Sequence, residues 1–477
     1  MKYLPPTGGH IHLIAICGVG MASLAGLLQA RGYRVTGSDE NIYPPMSTYL
    51  AQIGIAVMPG YRKDHVAPRP DLVVIGNAVT RSNPEAQAVL DSGVPYISFP
   101  EALGEFLIGA RKSLVIAGTH GKTTTTALCA WAFHRAGLQP GFFVGGVPID
   151  FGSGWNSGEG DCVVLEGDEY DTAFFDKGPK FLHYRPRYVI LTSVEFDHAD
   201  IYRDLDHLKG AFRRLMAIIP ADGCLVVCND YPAAMEVAAS ARCRVVTYGN
   251  GDNGDWTAKN VQAREGRSFF EPCYRGQPDG AAELSLMGHH NVKNALAVYA
   301  MGRAMGVEQN KLLDGFATFH GVKRRQELKG EKRGIAVIDD FAHHPTAVRE
   351  TINAVRQAYP GRRLWALFEP RSHTSRRKIF EHEFAQALAL ADRVVVAGLY
   401  LPEKVPENER LSVASVIDEI NRACGDKRAM QIVEAGQIAA YVAKNAATGD
   451  VILVMSNGAF AGVHEKILQA LASAMHA

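Results

Sequence analysis

The residues of this chain best suited to chemistry on a phosphate lie in "VIAGTHGKTTTTALCA", Val115 to Ala130. Gly121, Lys122 and Thr123 end the common phosphate-loop pattern G-x-x-x-x-G-K-[ST], but its first glycine would fall on Ile116. The nearest glycine is Gly118, so the turn is shorter than the pattern requires. A glycine-bearing strand-to-helix turn lets backbone N–H groups converge on phosphate oxygens at a helix N-terminus. Lys122 would then neutralise β- and γ-phosphate charge, and the Thr123 hydroxyl would face Mg²⁺. The bland alternative is a glycine-rich turn with a surface lysine. A run of threonines from Thr123 to Thr126 is poor material for a plain first helical turn, which favours the phosphate reading.

Two acidic runs follow apolar segments. "VVLEGDEYD" leads into Glu166, Asp168, Glu169 and Asp171, and "LTSVEFDHAD" into Glu195, Asp197, His198 and Asp200. Acids at the carboxyl end of a strand, beside a phosphate loop on a neighbouring strand, are placed to hold a nucleotide-bound Mg²⁺. Glu166 comes first and is the best placed. Beside such a site His198 reads as a ligand for a second metal, although a lone histidine is more often structural.

Further along, "GHHNVKNAL" opens a helix with Asn291 and Asn294 on one face, where amides can read an adenine edge. Helix capping by Asn291 explains the spacing equally well. "GVKRRQE" sets Arg324 and Arg325 where an arginine can reach back to a γ-phosphate; in isolation a solvated linker charge is the favoured account. "AVIDDFAHHPTAV" crowds Asp339, Asp340, His343 and His344 into a strand-to-helix turn with Pro345 in the first helical turn. They suggest a site; a metal pair lacks any further ligand spacing. "ICGVGMASLAG", with Asp39 ending the next strand, is a partial dinucleotide fingerprint whose third glycine is Ser23. It implies a phosphate-containing ligand without specifying NAD.

The elements that must position these residues alternate between apolar strands and helices, which predicts an α/β protein of three domains. A Rossmann-like N-terminal domain over 1–111 contains strands at "HIHLIAIC", "YRVTGSD", "DLVVIGN" and "VPYIS" and helices at "MASLAGLLQARG" and "PEALGEFLIGA". A central P-loop ATPase-type domain over 112–320 contains strands "SLVIAG", "CVVLEGDE" and "YVILTSV" and a loop helix from about Thr123 to Ala136. Its polar stretch around Gly249 to Gly280 reads as irregular or short-strand structure. A second Rossmann-like domain over 321–477 contains "GIAVIDD", "RRLWALFE", "ADRVVVAG" and "DVILVMS".

Composition narrows the class further. The 477 residues include 50 Lys plus Arg and 50 Asp plus Glu, so no global basic field favours nucleic acid or an anionic membrane. No apolar run is long enough to span a bilayer and no signal core opens the chain, which predicts a cytoplasmic protein. The 8 cysteines are scattered, and Cys224 and Cys228 flank a probable strand, so reduced core residues are expected rather than a zinc site.

Taken in order, "GTHGKTTT", "EGDEYD", "EFDHADI", "GHHNVKNAL", "RRQELKG" and "DDFAHHPTA" resemble the Mur ligase family across nearly the whole chain. The resemblance implies a UDP-sugar-binding N-terminal domain, a central ATPase domain and a C-terminal domain that binds the incoming amine. Carried over by motif, Gly118, Thr119, His120, Gly121, Lys122, Thr123 and Thr124 bind ATP, and Thr123, Glu166 and His198 serve the metals. His290, Asn291 and Asn294 belong to the adenine side, Arg325 to the γ-phosphate and Asp340 to the ribose. Gly18 and Gly20 approach the UDP diphosphate, with Ser38 and Asp39 near the sugar nucleotide. Lys122, His198, Arg325 and His343 form the catalytic set, with His198 or His343 accepting the amine proton. Where several members carry a carbamylated lysine, this chain has Arg213, with Lys209 out of register.

"GVGM" and "DDFAHHPT" are similar to the members that use UDP-N-acetylmuramate. "GNAVTRSNP", "AFFDKGPKFLHYRPR", "EPRS" and "VMSNGAFAG" are similar to the branch that joins recycled L-alanyl-γ-D-glutamyl-meso-diaminopimelate to it. The implied activity is amide formation through an acyl phosphate, with ATP and Mg²⁺. The alternative inside the family is the branch that adds L-alanine alone; outside it stand an NAD-dependent oxidoreductase and a nucleotide-switch ATPase.

Overall fold

The computed structural model describes residues 4–251, 253–264 and 266–473. Its first sheet is parallel, in the order Val57–Pro59, Arg34–Asp39, His10–Ile14, Leu72–Ile75, Tyr96–Ser98. The strand order reverses at His10–Ile14, which opens a crevice at the carboxyl end of that strand. "HIHLIAIC" stops being a strand earlier than its apolar pattern suggests because Ala15 turns to φ +67. The N–H groups of Ala15 and Ile16 then both donate to Ser38 O, at 2.9 and 3.0 Å. "PEALGEFLIGA" divides into an α-helix, Phe99–Leu103, and a π-helical turn, Gly104–Ile108.

The central sheet is built around Lys112–Ala117, which pairs in parallel with Cys162–Gly167 on one side and Pro186–Leu191 on the other. Successive side chains on a strand face opposite ways. Val115 and Ala117 therefore join the core shared with the N-terminal domain, while Leu114 and Ile116 join the core under the helices. Burial on both faces explains why this strand reads as an unbroken apolar run.

Cys224–Cys228 and Arg244–Gly249 continue the sheet in parallel. The stretch read as irregular or short-strand forms instead a long antiparallel pair, Trp256–Arg264 with Arg267–Tyr274. Its outer half is solvent-exposed, which is why its residues are polar. Trp256 anchors it, packing against Tyr274 and Tyr299 with ring centroids 5.0 and 5.2 Å away. Cys224 and Cys228 are buried free thiols within their strand.

The C-terminal sheet runs Glu327–Lys332, Ile335–Asp340, Val451–Met455, Leu364–Phe368, Arg393–Val396, Ala429–Gln431. All its pairs are parallel except the edge pair of Glu327–Lys332 with Ile335–Asp340. The two edge strands, Glu327–Lys332 and Ala429–Gln431, escape the hydrophobic pattern because they are mostly exposed or very short.

A buried polar cluster braces the first sheet. Glu85 is 0% exposed, and its carboxylate accepts from His12 Nε2 at 2.5 Å and from Ser38 Oγ at 2.7 Å. It lies in the first turn of the helix Pro84–Ser92, capped by Asn83, where the helix dipole favours an anion. Glu85→Ala leaves His12 Nε2 and the Ser38 hydroxyl without their partner, at about 1–3 kcal/mol for each orphaned group. Denaturant unfolding followed by a probe in this domain is expected to shift to a lower midpoint; an unchanged midpoint counts against this bracing.

Candidate active site

Three loops leave the carboxyl ends of three adjacent parallel strands and meet. Gly118 to Gly121 follows Lys112–Ala117, the acidic run that begins with Glu166 at the end of Cys162–Gly167 continues beyond it, and Thr192 to His198 follows Pro186–Leu191. The short loop is stitched to the exit of the last strand. Thr119 N donates to Ser193 O at 3.1 Å, His120 N donates to Ser193 Oγ at 2.9 Å, and Thr192 Oγ1 donates to His120 O at 2.6 Å. Its two glycines are obligatory. Gly118 has φ +129, and a Cβ there would stand 2.8 Å from the Ser193 backbone; Gly121 has φ +79, and its Cβ would stand 2.7 Å from Asn294 Oδ1.

The helix Lys122–Arg135 starts at Gly121 without a side-chain cap. Its threonines are buried, so tertiary packing overrides their weak helix propensity. The N–H groups of the first turn have no intrahelical acceptor, as an anion site requires, and Gly121 and Thr124 line the cleft.

The charged floor lies around Glu169. Lys122 Nζ donates to Gly118 O at 2.6 Å and to Glu169 Oε1 at 2.9 Å, and His198 Nε2 donates to that same oxygen at 3.0 Å. Burial pulls the Lys122 ammonium down, but Glu169 and Asp168 more than compensate, and its pKa moves up. For His198 burial again opposes protonation, and the Glu169 hydrogen bond and charge reverse it, giving a net rise. Asp168 is driven well below the usual carboxylate range against the pull of burial by Lys180 and Lys122.

Thr123 Oγ1 donates to Glu166 Oε1 at 2.8 Å, and Gly145 N donates to Glu166 Oε2 at 2.7 Å. A hydroxyl and a carboxylate side by side form a donor set that suits a hard divalent cation such as Mg²⁺. Glu169 Oε2, buried and without a hydrogen-bond partner, lies beside His198 as a second oxygen donor. Sequence reasoning passed over Glu169 in favour of Glu166. Lys209 and Arg213 both pair with Glu236 on an exposed helix face.

From the next domain Arg325 Nη2 reaches Thr123 Oγ1 at 3.2 Å, so it is not a solvated linker charge. Its neighbour Arg324 turns the other way, donating to Ser456 O at 2.7 Å and Gly458 O at 2.6 Å. Asp340, buried and with its pKa raised by burial, accepts from Gln326 N and Ala342 N, both at 2.8 Å. Arg325, Asp340, His290, Asn291 and Asn294 line one cleft with His120, Gly121 and Thr124. Asn291 does not cap its helix; Gly288 occupies the cap, and Asn291 Nδ2 donates to Met287 O at 2.8 Å.

His343 and His344 are not a metal pair. His343 Nδ1 donates to Phe341 O at 3.0 Å, leaving Nε2 4.0 Å from Asp197 Oδ2, and burial lowers its pKa. His344 Nε2 donates to Phe196 O at 3.2 Å, while its Nδ1 accepts from Thr346 N at 3.3 Å as a helix cap. His120 Nε2 lies 2.7 Å from Glu195 Oε2, and the Glu195 pKa falls to about 2, burial being outweighed by His120.

Gly18, Gly20, Ser38 and Asp39 sit at the crevice of the first sheet, away from this cleft. Gly18 caps the helix Val19–Ala30, and Gly20 packs under Phe99, where a Cβ would lie 3.1 Å from the ring. Ser38 is buried with its hydroxyl turned inward to Glu85. Asp39 accepts from Cys17 N at 2.9 Å, fixing the glycine loop from behind.

A phosphate loop flanked by acids, with an arginine delivered from a following α/β domain, defines a nucleotide-dependent phosphoryl-transfer enzyme built from three α/β units. Family models match in the same order: Mur ligase family, catalytic domain, over residues 10–111; Mur ligase middle domain over 116–302; Mur ligase, glutamate ligase domain, over 324–458. The chain belongs to the Mur ligase family, whose members are ATP-dependent ligases that form amide bonds. It is 41% identical over 463 residues to the UDP-N-acetylmuramate–L-alanyl-γ-D-glutamyl-meso-2,6-diaminoheptandioate ligase of Escherichia coli (strain K12), covering 97% of this chain and 98% of that one. Among solved structures it is similar to a murein peptide ligase of Psychrobacter arcticus 273-4, with 37% identity, a TM-score of 0.72, and coverage of 97% and 99% of the two chains. It is also similar to a UDP-N-acetylmuramate–alanine ligase of Thermotoga maritima, with 25% identity, a TM-score of 0.80, and coverage of 98% and 99%.

Burial, followed by the charge of His120, pushes the His344 pKa down to about 3. It is neutral when folded and takes up a proton on unfolding below about pH 6.5. Stability present at neutral pH is therefore lost as pH falls from about 6.5 toward about 3. His198, raised, works in the opposite direction. His344→Asn keeps a capping side chain and removes the titration, so its melting temperature is expected to fall less between pH 7 and pH 5 than that of the parent chain. Equal slopes would remove this assignment.

Proposed function

We propose that this chain joins L-alanyl-γ-D-glutamyl-meso-diaminopimelate, a peptide recovered from cell-wall turnover, to the lactyl carboxylate of UDP-N-acetylmuramate. The observation that carries the reading is the meeting of Lys122, the Thr123–Glu166 pair and Arg325 in one cleft, with Arg325 Nη2 3.2 Å from Thr123 Oγ1. The E. coli ligase of that substrate pair, matched over 97% of this chain, supports the choice of peptide.

In this reading residues 1–111 hold the UDP-sugar, with Gly18 and Gly20 against the diphosphate and Asp39 behind them. Residues 112–320 hold ATP, and residues 321–477 bring the peptide. Gly118 to Thr124 bind the phosphates. His290, Asn291 and Asn294 take the adenine side, and Asp340 the ribose. ATP and UDP-N-acetylmuramate are cytoplasmic metabolites, so the activity belongs in the cytoplasm; among the described residues no helix is long and apolar enough to cross a membrane.

A carboxylate has no good leaving group, so an amine cannot displace oxygen from it. One carboxylate oxygen attacks the γ-phosphorus, the bond to the β-phosphate oxygen breaks, and ADP leaves an acyl phosphate. The peptide amine then attacks the acyl carbon, and the tetrahedral intermediate expels phosphate and loses a proton from nitrogen. Thr123 and Glu166 would hold Mg²⁺, and His198 and Glu169 a second ion, which would supply charge neutralisation at the phosphates. Lys122 and Arg325 add positive charge where the transferred phosphoryl group develops negative charge. His343, whose pKa burial lowers and whose Nε2 lies 4.0 Å from Asp197 Oδ2, suits the proton better than His198, which is engaged by Glu169 and the second ion's site.

The deciding assay is ADP release with ATP, Mg²⁺ and UDP-N-acetylmuramate, comparing the tripeptide with L-alanine. Release is expected with the tripeptide; turnover with L-alanine alone overturns the substrate while leaving the family. Lys122→Ala should lower tripeptide-dependent turnover by at least about 10²–10³-fold while the melting profile stays that of a folded protein. A folded variant with near-normal turnover would remove Lys122 from the mechanism.

A further inference from the structure

The loop that carries His198 is gripped by the neighbouring domain. His198 sits at φ +56, a left-handed conformation that side chains other than glycine rarely adopt. Its N–H donates to Asp197 Oδ1 at 2.7 Å and to Thr374 Oγ1 at 3.1 Å. The Thr374 hydroxyl hydrogen goes to that same Asp197 oxygen, at 2.6 Å. One hydroxyl thus accepts from the His198 backbone and donates to Asp197, closing a small ring of hydrogen bonds. The ring is sealed from water: Asp197 is 4% and Thr374 2% exposed. His344, also from the C-terminal domain, holds Phe196 O from the other side at 3.2 Å.

We infer that Thr374 is a positioning residue: through Asp197 it holds His198 facing Glu169 only while the C-terminal domain is docked on the central one. Central-domain groups alone do not supply this hydroxyl. The donor set around His198 is therefore complete only when the domain that brings the amine is in place. An acyl phosphate formed before that docking is exposed to water, so linking the second cation site to docking protects the intermediate. This consequence rests on the ligase reading above. The positioning itself concerns the geometry of His198 and holds for any amine.

Thr374→Val keeps the shape and removes the hydroxyl, while Thr374→Ser keeps the hydroxyl. Two readouts apply to the full chain: steady-state kinetics, and Mn²⁺ titration by electron paramagnetic resonance with a non-hydrolysable ATP analogue and UDP-N-acetylmuramate. The valine variant is expected to lose about 10–100-fold in kcat and to weaken one class of bound Mn²⁺ by a similar factor, as removal of a group that orients a metal ligand does. KM for ATP should stay within about two-fold of the parent, because the Thr123–Glu166 set is untouched. Thr374→Ser should restore both. A valine variant with parental kcat and both Mn²⁺ classes intact overturns the inference, as does a serine variant that falls as far as valine. Mn²⁺ titration counts only folded protein, so it decides even where valine lowers stability. A parent chain that binds Mn²⁺ in two classes but does not ligate the tripeptide would sink the choice of peptide alone.

Discussion

A single carboxylate oxygen, Glu169 Oε1, receives both the Lys122 ammonium at 2.9 Å and the His198 imidazole at 3.0 Å. Lys122 belongs to the phosphate loop, Glu169 to one acidic loop and His198 to the other. The Glu169 side chain is fully buried, so taking away its carboxylate removes the shared acceptor of both groups in a medium that solvates charge poorly. The three loops consequently have one arrangement in which all their charges are satisfied. That arrangement needs three adjacent parallel strands, which is what the central sheet supplies on either side of Lys112–Ala117. Nucleotide phosphates entering this site meet an ammonium already held in place.

The junction between the second and third domains applies a related economy to two adjacent arginines. Arg324 and Gln326 both take left-handed backbone angles, φ +62 and +52, and the bend between them throws the two guanidinium groups apart. Such conformations cost on the order of 1–3 kcal/mol each. Arg324 offsets this by capping two carbonyls at the end of the strand Val451–Met455, and Gln326 N donates to Asp340. The face of Phe341 supports both cations, 5.2 and 4.9 Å from its centroid. One arginine thus belongs to the C-terminal domain as an anchor, and the other is exported to the phosphate loop. Motion of the C-terminal domain necessarily moves Arg325.

Residues whose placement follows from local order were legible in the sequence. Lys122 and Thr123 open the helix that follows an apolar strand and Glu166 lies at the end of the neighbouring one, and strand ends are where α/β folds gather ligands. The π-turn at Gly104, the exposed strand pair after Gly249 and the inward turn of Ser38 were not, because each depends on what packs against it. Asp197 and Thr374 illustrate the limit. They lie 177 residues apart, and "EPRSHTSRR" contains nothing that distinguishes Thr374 from its neighbouring hydroxyls. Glu169 fell between these cases: its acidity was plain, but only the fold of the loop beyond Gly167 decides which acid of the run turns inward.

The distribution of charge explains why a chain with equal numbers of acids and bases can still take polyanionic substrates. The floor of the cleft carries Glu166, Asp168, Glu169 and Asp197 against Lys122, Lys180 and Arg325. Asp168 and Asp197 stay ionised despite burial, far below their usual range, held there by Lys180 and by His198 respectively. An acid-rich floor repels a bare polyphosphate, and the nearby ammonium groups are already committed to it. A nucleotide therefore has to arrive with its own charge partly neutralised, and a bound divalent cation reverses the sign of the local field. Recognition in this site is accordingly a matter of matched pairs at fixed positions rather than of long-range attraction, which agrees with the absence of any net charge to steer an encounter.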